Sequence, residues 1–263
     1  MRELITMWRD TRMIMLVAVT AAIYAAVLLP FKLFTLVPGF TSVRPANVFP
    51  VIFSIMFGPA AAWGSAIGNL IGDVFGGTFG PGSIFGFLGN FFFGFVGYKL
   101  WGNLRPLSSG VEPNFRENAG AQLIEYLIVA LAASLGCAAI IAWGVDLLGL
   151  LPFPVLGATI PVNNMLAAAV LGPPLLYLTY PRIKEMGLLY PQVLRSGDIS
   201  DADTERSRLA AWAIVVVTIV WLALGLYAIP PQSTTQMALG AIGLLALIVG
   251  SFLCGERLSE MVG

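Results

Sequence analysis

The chain has 263 residues, of which 58% are hydrophobic and 11% charged, with a mean hydropathy of +0.87. A soluble domain carries about a quarter of its residues as charge, so this composition belongs in a lipid bilayer. Fourteen basic residues balance fourteen acidic ones and histidine is absent, which excludes a basic nucleic-acid surface, imidazole metal sites and the commonest general acid/base.

A span needs about 20 mostly apolar residues. That rule predicts an all-α membrane fold with eight spans, at 13–31, 46–57, 59–76, 81–102, 122–146, 156–180, 209–229 and 235–254. Arg2, Arg9 and Arg12 precede the first without a convincing cleavage pattern, so it reads as a retained span. Its residues Ala18, Ala22 and Ala26 repeat at four-residue spacing and form a small-residue face, suited to internal packing or to another membrane subunit. The second span is too short to cross unless tilted or re-entrant, and Gly58-Pro59 turns the chain into the third. There glycine recurs at Gly64, Gly68, Gly72, Gly76 and Gly80, and the fourth span continues with Gly82, Gly86 and Gly94. In lipid such a stripe lets helix backbones approach closely.

Basic residues stay on the cytoplasmic side. With both termini inside, twelve of the 14 fall on inner segments and only Lys32 and Arg44 on outer loops. This topology gathers the polar residues of four spans in the outer half: Asn69 and Asp73, Asn90, Trp143 and Asp146, then Thr159, Asn163 and Asn164. A carboxylate in an apolar span is costly and marks a protein interior or a watery cavity. The outer segment from Phe31 to Asn47 lies above them as a prospective lid. The alternative reading puts Trp143 in an interfacial aromatic belt, Asp146 in a loop, and the asparagines in bonds across helices.

Two inner segments follow. Residues 99–121 form a solvated loop, and 182–208 form an interfacial hinge with an acidic cluster of Asp198, Asp201, Asp203 and Glu205. Spans seven and eight hold little polarity beyond Thr218 and Gln236. The expected organisation is therefore a substrate-binding domain over 1–181, the hinge, and a peripheral annex over 209–263, with binding retained by a chain ending near Pro191. Cys137 and Cys254 lie in apolar segments and form neither a disulfide framework nor a zinc motif, so no metal or cofactor is expected.

Residues 13–181 resemble the substrate-binding S components of energy-coupling factor (ECF) transporters, which capture vitamins and related micronutrients. The resemblance lies in the Ala18-Ala22-Ala26 face, Arg44-Pro45-Ala46-Asn47, Phe57-Gly58-Pro59, Gly68-Asn69-Leu70-Ile71-Gly72-Asp73 and Pro161-Val162-Asn163-Asn164. It implies a six-span core in the plasma membrane, whose alanine face meets a transmembrane coupling subunit served by ATPase subunits. A small-molecule substrate would then sit among Arg44, Asn47, Asn69, Asp73, Asn90, Trp143, Asn163 and Asn164, and membrane lipids would surround the rest. The final pair of spans departs from the family. No G-x-x-x-x-G-K-[ST] loop is present, so ATP would be hydrolysed elsewhere. The competing readings are a stand-alone secondary transporter, for which no inverted repeat is visible, and an enzyme pairing Asp73 with Glu125 or Asp146. Helix rise separates Glu125 from Asp146 by about 30 Å, too far for one reaction.

Overall fold

Entry into the first long helix is set by a cap. In the computed structural model, which describes residues 1–42, 44–200 and 204–262, Asp10 Oδ1 accepts from the Arg12 and Met13 backbone N–H groups at 2.8 and 3.3 Å. Those donors have no partner within a helix, so the carboxylate fixes where it begins. Helix α1 (Glu3–Thr6) and a 3-10 turn precede the cap, and α2 (Thr11–Phe31) follows it. The outer segment then folds into a small antiparallel hairpin, β1 (Thr35–Val37) with β2 (Thr41–Ser42). These are the only strands among the described residues.

After a 3-10 turn at Pro45–Asn47 come α3 (Val48–Phe57), α4 (Pro59–Phe75), α5 (Ser83–Leu100), α6 (Ala119–Leu147) and α7 (Phe153–Glu185). The segment after α7 holds α8 (Tyr190–Val193) and a 3-10 turn at Ser196–Asp198. Helices α9 (Thr204–Tyr227), α10 (Thr234–Leu253) and α11 (Leu258–Met261) complete the described chain. Of the expected acidic cluster, Asp201 and Asp203 lie outside the described residues, and Glu205 pairs with Arg208 at 3.4 Å.

Every expected span has its helix, and the protein is an all-α membrane protein. Among the described residues six helices are long and apolar enough to cross: α2, α5, α6, α7, α9 and the segment containing α10. Helix α3 rises only about 15 Å, half the hydrocarbon thickness. All its residues except Phe49 are buried, so its exposed backbone ends meet protein and not lipid. Gly58, at φ +54°, turns α3 into α4 where a Cβ would meet Tyr190 Cγ at 2.7 Å. Helix α7 runs on to Glu185, past the expected end at 180, because Arg182 and Lys184 in its last turn favour the negative end of the helix dipole.

The glycine stripe explains the packing of α4. Added Cβ atoms at Gly64, Gly68 and Gly72 would lie 2.5–3.0 Å from atoms of Thr20, Ala21, Tyr24 and Leu28. Both helices thus repeat every four residues along one seam, and α4 lies tight between α2 and α5. The opposite face of α2, with Ala18, Ala22 and Ala26, is exposed.

The buried charges gather at the two ends of the bundle, named inner and outer after the distribution of basic residues. At the inner end Lys99 bonds Glu3 at 2.9 Å and also Glu256, with all three side chains at 0–1% exposure. At the outer end Lys32 and Arg44 reach the polar residues of α4. Helix α9 packs on α6 and α7, and α10 on α9 and α6.

Candidate functional site

The outer half of the bundle encloses a polar floor. Tyr24, brought there by the four-residue register of α2 against α4, places its Oη 2.8 Å from Asn47 Oδ1 and 2.9 Å from Asn90 Oδ1. Asn47 Nδ2 donates to Asn164 Oδ1 at 2.5 Å, and Asn90 Nδ2 donates to the Gly86 carbonyl at 2.8 Å. A phenol owns one proton, so it satisfies one of the two amide oxygens and leaves the other free to accept. Three helices, α2, α5 and α7, and the Pro45–Asn47 turn meet in this one network.

Above the floor, Asp73 gathers donors. Lys32 Nζ at 3.0 Å and Thr78 Oγ1 at 3.2 Å reach Oδ1; Ser83 Oγ at 3.0 Å and Asn69 Nδ2 at 3.3 Å reach Oδ2. Lys32 Nζ also donates to Thr78 Oγ1 at 2.8 Å. The Lys32–Asp73 ion pair thereby joins the start of the outer loop to the end of α4. Burial, then the Arg44 charge, pull the Lys32 ammonium below its ordinary pKa, while Asp73 opposes them. Asn163 fastens the far end of the loop, donating to the Ser42 carbonyl at 2.8 Å and accepting from the Arg44 N–H at 3.2 Å.

Between floor and loop lies a cavity of about 340 Å³, within the range of small-molecule sites. Arg44, Asn47, Asn69, Asp73, Asn90 and Asn164 line its polar side, and Ile141, Val145, Leu150, Leu156 and Ile160 its apolar wall. Arg44 is nearly buried, and Nη1 donates to Asn69 Oδ1 at 3.0 Å while Nε has no partner. No carboxylate lies within ion-pair distance of its guanidinium among the described residues. A buried donor left unmade is costly, which makes Arg44 Nε a free donor at the polar side of the cavity. No cluster of metal-ligating side chains occurs among the described residues.

The family model described as QueT transporter matches residues 14–181, from the first turn of α2 almost to the end of α7. The chain belongs to the QueT transporter family. QueT proteins are S components of ECF transporters, so this is a multi-pass plasma-membrane protein that binds a small molecule for uptake. No curated protein and no solved structure matches the chain. All residues lining the cavity fall within the QueT match, whereas α9 and α10 lie beyond it.

Six of the eight sequence-predicted site residues line the QueT cavity directly. Asn163 stands outside it and serves the loop. Trp143 lies elsewhere, its ring 5.9 Å from Phe85 and 6.2 Å from Trp221, against the annex and not against the cavity. The depth of Trp143 along its span was legible, but its azimuth was not, because α9 and α10 set which face of α6 is covered. Sequence reasoning missed Tyr24, Thr78, Ser83 and Cys137 as lining or floor residues. The spacing of Tyr24 and Leu28 opposite the glycines was the available signal for the first. Of the carboxylates weighed for catalysis, Asp73 on α4 is held by side chains, while Glu125 and Asp146 are engaged by backbone at opposite ends of α6. Glu125 accepts from Gly102 N at 2.7 Å and Ser109 N at 2.8 Å, and Asp146 from Phe153 N at 2.8 Å.

Proposed function

We propose that this S component captures a queuosine precursor, a vitamin-like micronutrient, from outside the cell and passes it inward with an ECF-type transmembrane coupling subunit and its ATPase subunits. The family supports the solute class. The observation that carries the reading is the cavity with one polar side, in which Arg44 Nε lacks a partner and Tyr24 leaves one asparagine oxygen unsatisfied. These donors and acceptors suit the edge of a polar planar heterocycle, and the apolar wall from Ile141 to Ile160 suits its face.

Within this reading Asp73 is the anchor of the loop, since four donors already occupy its oxygens. Arg44, Asn47, Asn90 and Asn164 contact the solute. The exposed alanine face of α2 supports docking to the coupling subunit, because its small side chains admit another helix closely and its partners inside this chain use the other face. Residues 1–185 form the substrate-binding unit, extended from 181 to the true end of α7.

The test is calorimetric titration of the purified protein with a queuosine precursor, beside mass spectrometry of any solute released on denaturation. Saturable binding of the precursor, lost in Arg44→Gln, supports the reading. A different co-purified solute, with no precursor binding, overturns it.

A further inference from the structure

Asp146 sits at the outer end of α6 with 2% of its surface exposed. It forms no ion pair among the described residues and receives only backbone donors. Oδ1 accepts from Phe153 N at 2.8 Å, an unpaired N–H in the first turn of α7. Oδ2 accepts from Gln232 N at 2.9 Å, in the loop between α9 and α10, where Gln232 holds φ +56°. One carboxylate therefore ties the annex to α6 and α7, which with the loop between them carry Val145, Leu156 and Leu150 into the cavity wall.

A second line of contact runs parallel to the first. Trp221 of α9 meets Trp143 edge-on, and Trp143 meets Phe85 edge-on, one residue from the cavity-lining Gly86. Gly240 of α10 is what makes room for Trp143, since a Cβ there would lie 2.1 Å from the indole. From the annex, then, a polar tie and a stack of rings both end on the cavity wall.

We infer that Asp146 is a positioning residue through which the two helices outside the family match hold the α6–α7 wall of the cavity in place, so that solute retention depends on the annex. This rests on the cavity being the solute site. Removing the carboxylate leaves the loop carrying Leu150 its backbone bonds to α6, such as Leu150 N to the Val145 carbonyl at 3.1 Å, but takes away the ties to the first turn of α7 and to the annex, so the wall no longer excludes water from the interior.

Cys137, which lines the cavity at 1% exposure, reports on the wall without any solute, and buried Cys254 at the opposite end serves as the internal control. The full-length protein in lipid nanodiscs is treated with N-ethylmaleimide, and each cysteine's labelling rate is read by peptide mass spectrometry. Asp146→Ala and Gly240→Ala are expected to label at Cys137 at least tenfold faster than the parent, with Cys254 unchanged. Asp146→Asn, which keeps one acceptor oxygen and turns an NH2 toward the other N–H, is expected to label faster than the parent but less than Asp146→Ala. Unchanged Cys137 rates overturn the inference, as does equal acceleration at both cysteines, which would mean general loosening. Titration with a queuosine precursor forms the second arm, where the two alanine variants should lose at least fivefold in affinity. A parent that does not bind the precursor refutes the function proposed above, while the labelling still decides the role of Asp146.

Discussion

Asn90 and Asn164 each hold the floor through one amide group and turn the other toward the cavity or toward Tyr24. Replacing either with leucine leaves a polar partner unpaired, so Asn90→Leu and Asn164→Leu should each weaken solute binding by about 1–3 kcal/mol without preventing insertion. Titrations of both that match the parent would remove them from the site. Lys32 gives a prediction of a different kind. Its pKa is lowered, so on raising pH it loses its charge before an ordinary lysine does, in the window that ends at the usual 10.5. The Lys32–Asp73 ion pair then weakens, and solute should dissociate faster as pH climbs into that window. Lys32→Arg, charged throughout, should flatten the dependence; an equal rise in the arginine variant would show that the loop opens for another reason. Polar residue types at the outer ends of spans were enough to find most of the site from sequence. What a single sequence withholds is the direction in which a side chain leaves its helix, and so Tyr24 was missed and Trp143 included.

At the scale of the element, helix α2 has two unlike faces. Tyr24, Thr20 and Leu28 fit the glycine seam of α4, while Ala18, Ala22 and Ala26 face outward with Met15 and Val19 beside them. Ala22→Trp should therefore leave solute titration unchanged and abolish co-purification with the coupling subunit and uptake into vesicles. Loss of solute binding in that variant would place the alanine face inside the protein. The helices themselves were legible because a bilayer imposes one length and one polarity on each span. Boundaries slipped where that rule lapses. Helix α7 continues beyond lipid on the strength of its charged last turn, and the outer loop pairs into strands that no hydrophobic alternation announced.

The whole molecule is joined at both ends by contacts that hydropathy cannot show. The annex has almost no polarity in its spans, so it read as a peripheral addition. Its flanking residues carry the connections: Gln232 to Asp146 outside, and Glu256 to Lys99 and the Ser200 N–H inside. A chain ending at Pro191 retains every cavity-lining residue, but leaves Lys99 with one carboxylate and the outer wall untied. Such a chain should insert and yet bind solute at least fivefold more weakly than the full-length protein. Affinity equal to the parent would restore the view of a peripheral annex. Glu256→Ala tests the inner connection separately. Uncoupling one partner of a buried charge pair costs about 3–5 kcal/mol, which should appear as a large fall in the thermal unfolding midpoint. An unchanged midpoint would mean that Glu3 suffices for Lys99.

The meeting of Lys99 with Glu256 also has a meaning for biosynthesis. The two residues are 157 positions apart, so the ribosome delivers the acid long after the base has entered the membrane. Throughout that interval only one of the two carboxylates that meet Lys99 in the folded protein exists, and that one, Glu3, also pairs with the Met1 amine at 2.9 Å. Synthesis of the segment between α10 and α11 supplies the second carboxylate, so a chain released before it lacks one of the two acids that match the buried Lys99.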